Sequence, residues 1–199
     1  IRQGVGKYPI ISLTPMKNPT IDTVSFDSYS GGYMIAKHFE EQGYKNFGIV
    51  SGPGDAVDAA FRKNGFVDHI SEKKDLELVW EFKGDFSSES GRDAFNDYKN
   101  QNIPDMAIFG CNDHTCFGFM KEALEAGFKI PKDFIIAGYD NLSFCDNFTP
   151  ELTSVATNFD ILGKRAIRTI ENMVNDSNEI IRQFSMVPVE IVIRSSTQN

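Results

Sequence analysis

Polar side chains follow two apolar segments in the middle of the chain, at the point where each segment ends. Gly110 closes an apolar run at 107–109, and Asn112 and Asp113 lie in the turn that follows; Asp140 and Asn141 end the run FIIAGYDN. In open α/β sheets, ligands bind beyond the carboxyl ends of the strands. We therefore expect these four side chains to share one polar mouth.

The same carboxylates raise the question of catalysis, because Asp113 and Asp140 are the residue types that form a glycosidase acid and base pair. Other catalytic patterns are missing from the sequence: it has no GxSxG motif, and SGPGD lacks the lysine and spacing of a phosphate-binding loop. His114 follows the predicted mouth and is the histidine best placed to reach a ligand. We expect a binding protein and not an enzyme.

A metal site is a second alternative, because Cys111, His114 and Cys116 lie close together in sequence. Their spacing matches none of the usual zinc frames, and no second cluster of ligands follows. We expect buried thiols with no metal and no cofactor. Three cysteines are an odd count, which favours a reducing compartment over a disulfide framework.

The overall charge limits the partners of the chain. The formal net charge of the 199 residues is −8, whereas non-specific nucleic-acid binding depends on Lys and Arg neutralising phosphates. This sequence by itself is therefore expected to bind DNA poorly. No segment approaches the roughly 20 apolar residues of a membrane span, and we expect a cytoplasmic location.

Apolar runs of strand length alternate with amphipathic segments along the chain, which predicts a parallel α/β fold. One helix is predicted to begin near Phe117, after the polar turn CNDHT, and to stop at Gly127. The final run FSMVPVEIVIRSST is predicted to be one strand, with Pro188 at an edge or a bulge.

Several longer motifs resemble one family. The runs EAGFKIPKD, GYDN, FTPELTSV and VEIVIRSST resemble the effector-binding core of the LacI family of bacterial transcription regulators, which is similar to periplasmic sugar-binding proteins. The resemblance implies a two-lobed, type I periplasmic-binding-protein-like α/β fold with parallel sheets flanked by helices. It assigns 1–45 and 157–185 to the remnant of an N-terminal lobe, and 46–156 and 186–199 to a C-terminal lobe. It also implies an N-terminally truncated sequence whose helix-turn-helix headpiece is absent.

The resemblance also implies a set of effector contacts. These are Asp27, Arg62, Phe86, Asn112, Asp113 and Asp140. Arg62 would fork onto ligand oxygens, unless it is a surface arginine, and Phe86 would pack on an apolar ligand face, unless it belongs to the core. Asp113 has a competing role as the cap of the helix that follows it.

The function implied by this likeness is the sensing of a small polar effector, most simply a sugar, held between two lobes of a homodimeric regulator. Effector binding would alter operator binding by the headpiece. Two alternatives remain. One is a periplasmic-type sugar receptor or sensor input domain, and the other is a regulator that responds to a purine or to a protein partner.

Overall fold

The computed structural model describes residues 8–101, 103–175 and 183–198. The chain divides into two compact units. Unit 1 consists of the described residues of Ile1–Asp27 and Thr157–Val189, and unit 2 of those of Ser28–Ala156 and Glu190–Asn199.

Strands and helices alternate along most of the chain. The elements are β1 (Ile11–Ser12), β2 (Asp22–Phe26), α1 (Ser28–Glu41), β3 (Asn46–Ser51), α2 (Val57–Ser71), β4 (Glu77–Lys83), α3 (Ser88–Tyr98), β5 (Met106–Gly110), α4 (Asp113–Glu125), β6 (Phe134–Asp140), β7 (Thr153–Ala156), α5 (Phe159–Asn175), β8 (Phe184–Val187) and β9 (Glu190–Val192).

Unit 1 contains a three-stranded parallel sheet with the order β1-β2-β8. Helix α5 covers one face of it, where Val24, Leu162 and Val187 form a small core. The ring of Phe159 packs edge-on against Phe26, at 5.2 Å between centroids.

Unit 2 contains a six-stranded sheet with the order β4-β3-β5-β6-β7-β9, in which β9 alone runs antiparallel to its neighbour. The predicted α/β class with parallel sheets is confirmed. The chain leaves β3 toward β4 on one side and then returns to β5 on the other. A crevice for ligands forms at such a switch point, beyond the carboxyl ends of the strands.

The central strand β5 explains why its sequence is an unbroken apolar run. Ile108 belongs to a core with Phe95 and Phe119 from helices α3 and α4. Phe109, on the opposite face, lies 5.1 Å from the ring of Phe66 in α2. Both faces of the strand are buried, as in parallel sheets covered by two helix layers.

Helix α4 begins at Asp113, four residues before the predicted start near Phe117. The reason is the cap, because Asn112 Oδ1 accepts a hydrogen bond from the backbone N–H of Thr115 at 3.0 Å. The polar residues that the sequence analysis assigned to a turn are therefore the first turn of the helix.

The predicted single strand at the C-terminus is also wrong. It consists of two strands, β8 in unit 1 and β9 in unit 2, which are separated at Pro188 and Val189. Proline has no N–H to donate and interrupts a strand ladder, so the chain leaves one sheet at this point and joins the other.

The bounds of the units differ from the predicted lobes, because helix α1 belongs to unit 2 and not to the segment 1–45. A Cβ at Gly32 of α1 would lie 1.9 Å from the carbonyl oxygen of Arg62, and a Cβ at Gly65 of α2 would lie 1.9 Å from that of Tyr29. The two backbones thus meet directly. The assignment of the units to N-terminal and C-terminal lobes stays a prediction, and its residues 1–7, 102, 176–182 and 199 lie outside the described residues.

Candidate functional site

Four loops of unit 2 converge at the carboxyl edge of its sheet. They follow β3, β4, β5 and β6, and they carry Gly52, Phe86, Asn112 and Asp140. Helix α2 adds Arg62, which contacts three of these loops.

Arg62 is the centre of the site. Its Nη1 donates a hydrogen bond of 2.6 Å to the carbonyl oxygen of Cys111, and its Nη2 lies 3.3 Å from Oδ1 of Asp140. The guanidinium carbon lies 3.9 Å from the centroid of the Tyr139 ring. The side chain is 11% exposed. The Arg62 guanidinium thus lies over the Tyr139 ring and also pairs with the Asp140 carboxylate.

Asp140 ends strand β6 in an unusual backbone conformation, with φ of 107°. Its side chain is 25% exposed. The pKa of Asp140 is raised to about 6, chiefly by burial; the charges of Asp113 and Asp58 add to the rise, and those of Arg62 and His114 oppose it. The carboxylate is therefore ionised at neutral pH but lies close to protonation.

The residue after Asp140 anchors the same loop. Asn141 also has a positive φ, of 53°. Its Oδ1 accepts a hydrogen bond of 2.7 Å from Nη2 of Arg194, and its N–H donates to Oγ of Ser154 at 3.0 Å. These two bonds hold the strained turn from both sides, and they fix the position of the neighbouring Asp140.

Phe86 also adopts a positive φ, of 72°. Its ring packs so closely on Gly52 that a Cβ there would lie 2.3 Å from ring carbons. The guanidinium carbon of Arg62 is 5.7 Å from the ring centroid, and the side chain is half-buried. The aromatic ring thus lies beside the cation, and its predicted contact with a ligand face stays a prediction.

Asn112 uses both ends of its amide inside the protein. Its Oδ1 caps helix α4, and its Nδ2 donates a hydrogen bond of 2.9 Å to the carbonyl oxygen of Phe86. The side chain is buried. In this structure it holds the strained Phe86 backbone and the start of α4, so it supports the site from behind.

Asp113 is fully buried and forms a hub beneath the Asp140 loop. Its Oδ1 accepts a hydrogen bond of 2.6 Å from Ser154 Oγ, and its Oδ2 accepts from the N–H of Leu142 at 2.8 Å and from Cys145 Sγ at 3.2 Å. Burial raises the pKa of Asp113, against the opposing effect of these bonds. The helix cap that sequence analysis considered for Asp113 is provided by Asn112.

Comparison with known proteins agrees with this fold. Residues 36–197 match the model of the periplasmic binding protein-like domain. The chain belongs to this family. It is 31% identical over 182 residues to the HTH-type transcriptional repressor PurR of Mannheimia succiniciproducens, which covers 91% of this chain and 54% of that relative. For PurR of Haemophilus influenzae the identity is 29% over 194 residues, with 96% and 58% covered. The chain thus spans about half the length of the curated relatives it matches.

Two solved structures extend the likeness. A LacI family transcriptional regulator from Enterococcus faecalis with bound ribose is 29% identical, with a TM-score of 0.85 and coverage of 97% of this chain and 70% of that one. The lac repressor dimer bound to operator and an anti-inducer has a TM-score of 0.89 at 22% identity, with 100% and 68% covered, which shows the shared fold. The predicted LacI-type effector-binding core and its periplasmic-binding-protein-like fold are confirmed.

Asp27 and His114 were also predicted to lie near the effector of this LacI-type core. Asp27 belongs to unit 1, follows β2 and donates its backbone N–H to the carbonyl of Val187 at 2.8 Å. Its role as an effector contact stays a prediction. His114 is exposed on the first turn of α4, with its ring 5.3 Å from that of Phe144.

Sequence analysis missed Asp58. It lies in the first turn of α2, one helical turn before Arg62, and its Oδ1 accepts a hydrogen bond of 3.1 Å from Oγ of Ser28. The signal was present in the sequence, because residues four apart lie on the same face of a helix.

The cysteines are structural. Cys111, Cys116 and Cys145 are buried and free. Across residues 8–101, 103–175 and 183–198, no group of three His, Cys, Asp or Glu side chains is arranged to hold a metal ion. Over the same residues, no helix has both the length and the hydropathy needed to cross a membrane.

Proposed function

We propose that this LacI-type core senses a small polar molecule, most simply a sugar, at the carboxyl edge of the unit 2 sheet. The observation that carries the proposal is the ion pair of Arg62 and Asp140 at the edge of the sheet. Nη2 of Arg62 lies 3.3 Å from Oδ1 of Asp140. The two side chains remain 11% and 25% exposed, so each keeps surface for a ligand.

The chemistry of the pair matches adjacent hydroxyl groups. A guanidinium only donates hydrogen bonds, and an ionised carboxylate only accepts them. A hydroxyl does both, so two neighbouring hydroxyls satisfy both partners at once. Phe86 provides an aromatic face for the C–H side of a sugar ring. The ribose bound in the structure from Enterococcus faecalis supports this class of ligand.

The predicted contacts divide by position. Arg62, Asp140 and Phe86 contact the effector in this proposal. Asn112 and Asp113 hold the loops that carry them, because their polar atoms are already bonded within the protein. Asp27 remains a proposed contact from unit 1.

For the protein as a whole, we propose a cytoplasmic homodimeric transcription regulator that is not an enzyme. The relatives are named as HTH-type transcriptional repressors, and one neighbour is a dimer bound to operator. Effector binding would change the affinity of a helix-turn-helix headpiece for its operator. The free energy for this change comes from the different effector affinities of the two states.

A purine is the second candidate effector, because the curated relatives are named PurR. A flat base would also stack on Phe86, and Arg62 would donate to its ring or carbonyl acceptors. The carboxylate of Asp140 would then face the N–H groups of the base.

A thermal unfolding screen tests the proposal and separates the two candidates. The panel contains ribose and other pentoses, hexoses, polyols, hypoxanthine and guanine. At a hundred times Kd, a ligand adds about 2.7 kcal/mol to the free energy of unfolding. This corresponds to a rise in Tm of about 5 to 10 °C for a chain of this size. Calorimetry then gives the affinity of each hit.

Matched variants locate the site. We expect Arg62→Lys to abolish the shift, because an ammonium lacks the planar fork of a guanidinium and cannot match its donor spacing to Cys111 O, Asp140 and a ligand. Lys63→Ala is the control, since Lys63 lies next in the same helix and pairs with Glu81 instead. If the Arg62→Lys variant binds a hit with normal affinity, Arg62 does not belong to the site. A shift with purines alone would replace the sugar assignment.

A further inference from the structure

Asp58 lies one helical turn before Arg62, in the first turn of α2. It accepts a hydrogen bond from Ser28, the first residue of α1. The start of α1 also packs on Tyr139, since a Cβ at Gly31 would lie 2.5 Å from a ring carbon. The guanidinium carbon of Arg62 lies 3.9 Å from the centroid of the same Tyr139 ring.

The charge of Asp58 is felt across this cluster. It raises the pKa of Asp140 and also that of Tyr139, although burial is the larger cause for both groups. Asp58 lies one helical turn before Arg62 on α2, and Arg62 pairs with Asp140, so two carboxylates lie near this edge of the sheet. A dianionic phosphate at this edge would meet two like charges, and the single opposing charge of Arg62 is already partly offset by Asp140.

Helix α2 would otherwise attract an anion. The N-terminus of a helix carries a partial positive charge and free N–H groups, which favour phosphates. Ala56 precedes the first turn and gives no side-chain cap, whereas Asp58 lies within that turn. Its carboxylate therefore offsets the positive end of the helix dipole where a phosphate would bind.

We propose that Asp58 is a specificity-determining residue of the effector site, which selects uncharged, hydroxyl-rich molecules and rejects their phosphorylated forms. The inference rests on the proposed sugar-sensing function and narrows it. Asp58 accepts hydrogen bonds from effector hydroxyls and repels phosphates through its charge.

The test uses Asp58→Asn, which removes the charge and keeps the shape. Asp68→Asn is the matched control, because Asp68 lies on the same helix and accepts its hydrogen bond from the exposed Tyr29 hydroxyl. The first probes are D-ribose and D-ribose 5-phosphate, followed by the best sugar of the panel with its own phosphate monoester. Calorimetry measures Kd for each pair.

We expect the unmodified chain to bind the neutral sugar at least ~10-fold more tightly than its phosphate, and Asp58→Asn to weaken neutral-sugar binding by about 10-fold. The ratio of the two Kd values should fall in Asp58→Asn and stay constant in Asp68→Asn. A preference of the unmodified chain for the phosphate, or a ratio that Asp58→Asn leaves unchanged, overturns the inference while sugar sensing stands.

A ligand-free measurement supports the same assignment. NMR titration of the Asp140 carboxyl carbon gives its pKa, about 6 in the folded chain, and we expect this pKa to fall in Asp58→Asn. An unchanged Asp140 pKa means that Asp58 does not face the site, and the inference is wrong. If the pKa of Asp140 falls but neither neutral sugars nor their phosphates bind, both the proposed function and the proposed selectivity are wrong.

Discussion

Strand β5 is followed by Asn112 and Asp113, and its neighbour β6 ends in Asp140 and Asn141. Both ends therefore carry one acid and one amide at the same edge of the sheet. Asp113 is fully buried and accepts three hydrogen bonds, whereas the Asp140 side chain is 25% exposed and faces Arg62. Two similar sequence signals thus give a structural hub and a surface that can bind a ligand.

The difference follows from what lies beyond each strand. After β5, the helix begins at once, and the loop that follows β6 covers Asp113. At the end of β6, Asp140 and Asn141 both have positive φ, and the chain turns there. Buried Asp113 stabilises the loop that follows β6, and this loop keeps Asp140 partly exposed. An acid at a strand end is available to a ligand only if its own loop leaves it uncovered.

The largest effect should come from Asp113→Ala. This change leaves the N–H of Leu142 and the hydroxyl of Ser154 without their acceptor inside the protein. We expect a loss of about 2 to 4 kcal/mol in the free energy of unfolding. Urea unfolding followed by circular dichroism measures it. A loss below about 1 kcal/mol would contradict the hub and remove the contrast with Asp140.

Asp140→Asn should show the opposite balance. The asparagine keeps the shape but loses the ionised acceptor, so we expect effector affinity to fall by roughly 10- to 100-fold. Stability near neutral pH should change by no more than about 1 kcal/mol, because burial already disfavours the ionised form. Calorimetry and urea unfolding on the same sample give both values. Unaltered affinity would move the effector away from Asp140.

The pH dependence of binding sharpens the same contrast. Because the pKa of Asp140 is about 6, we expect Kd to rise as pH falls below 6, by up to about 10-fold per pH unit. The effect on stability has the other sign. The folded pKa is raised above the ordinary 3.8, so this stabilising contribution is complete below pH 3.8 and is lost as pH rises through 6. In Asp140→Asn both dependences should disappear.

The smallest effect is expected from Cys145→Ala. The thiol donates one weak hydrogen bond to Asp113, at 3.2 Å, and burial raises its pKa beyond the physiological range. We expect a loss of about 1 kcal/mol in stability, with effector affinity unchanged in calorimetry. Cys111→Ala and Cys116→Ala should likewise leave binding intact. A loss of binding in any of the three would give the thiols a functional role.

The sequence identified the family and predicted which edge of the sheet carries the candidate site, because both depend on local patterns. Apolar runs that end in acids and amides mark strand ends, and the family motifs lie in the same segment. The start of helix α4 was predicted too late in the chain, because the sequence assigned Asn112 to a turn. The structure shows that Asn112 caps the helix by accepting a hydrogen bond from Thr115. Asp58 was not predicted although it lies four residues before Arg62 on the same helix, because its hydrogen bond to Ser28 of helix α1 is visible only in the structure.

By itself, the sequence determined the α/β alternation, the LacI-type core and the carboxyl edge at which Arg62, Phe86 and Asp140 meet. These follow from side-chain periodicity and from motifs that are contiguous in the chain. Only the tertiary structure decided that Asp113 is covered while Asp140 stays exposed, that Arg194 anchors the turn beside it, and that Gly32 allows helix α1 to pack against Arg62. Burial and close backbone approach arise between segments far apart in sequence, so no local pattern encodes them.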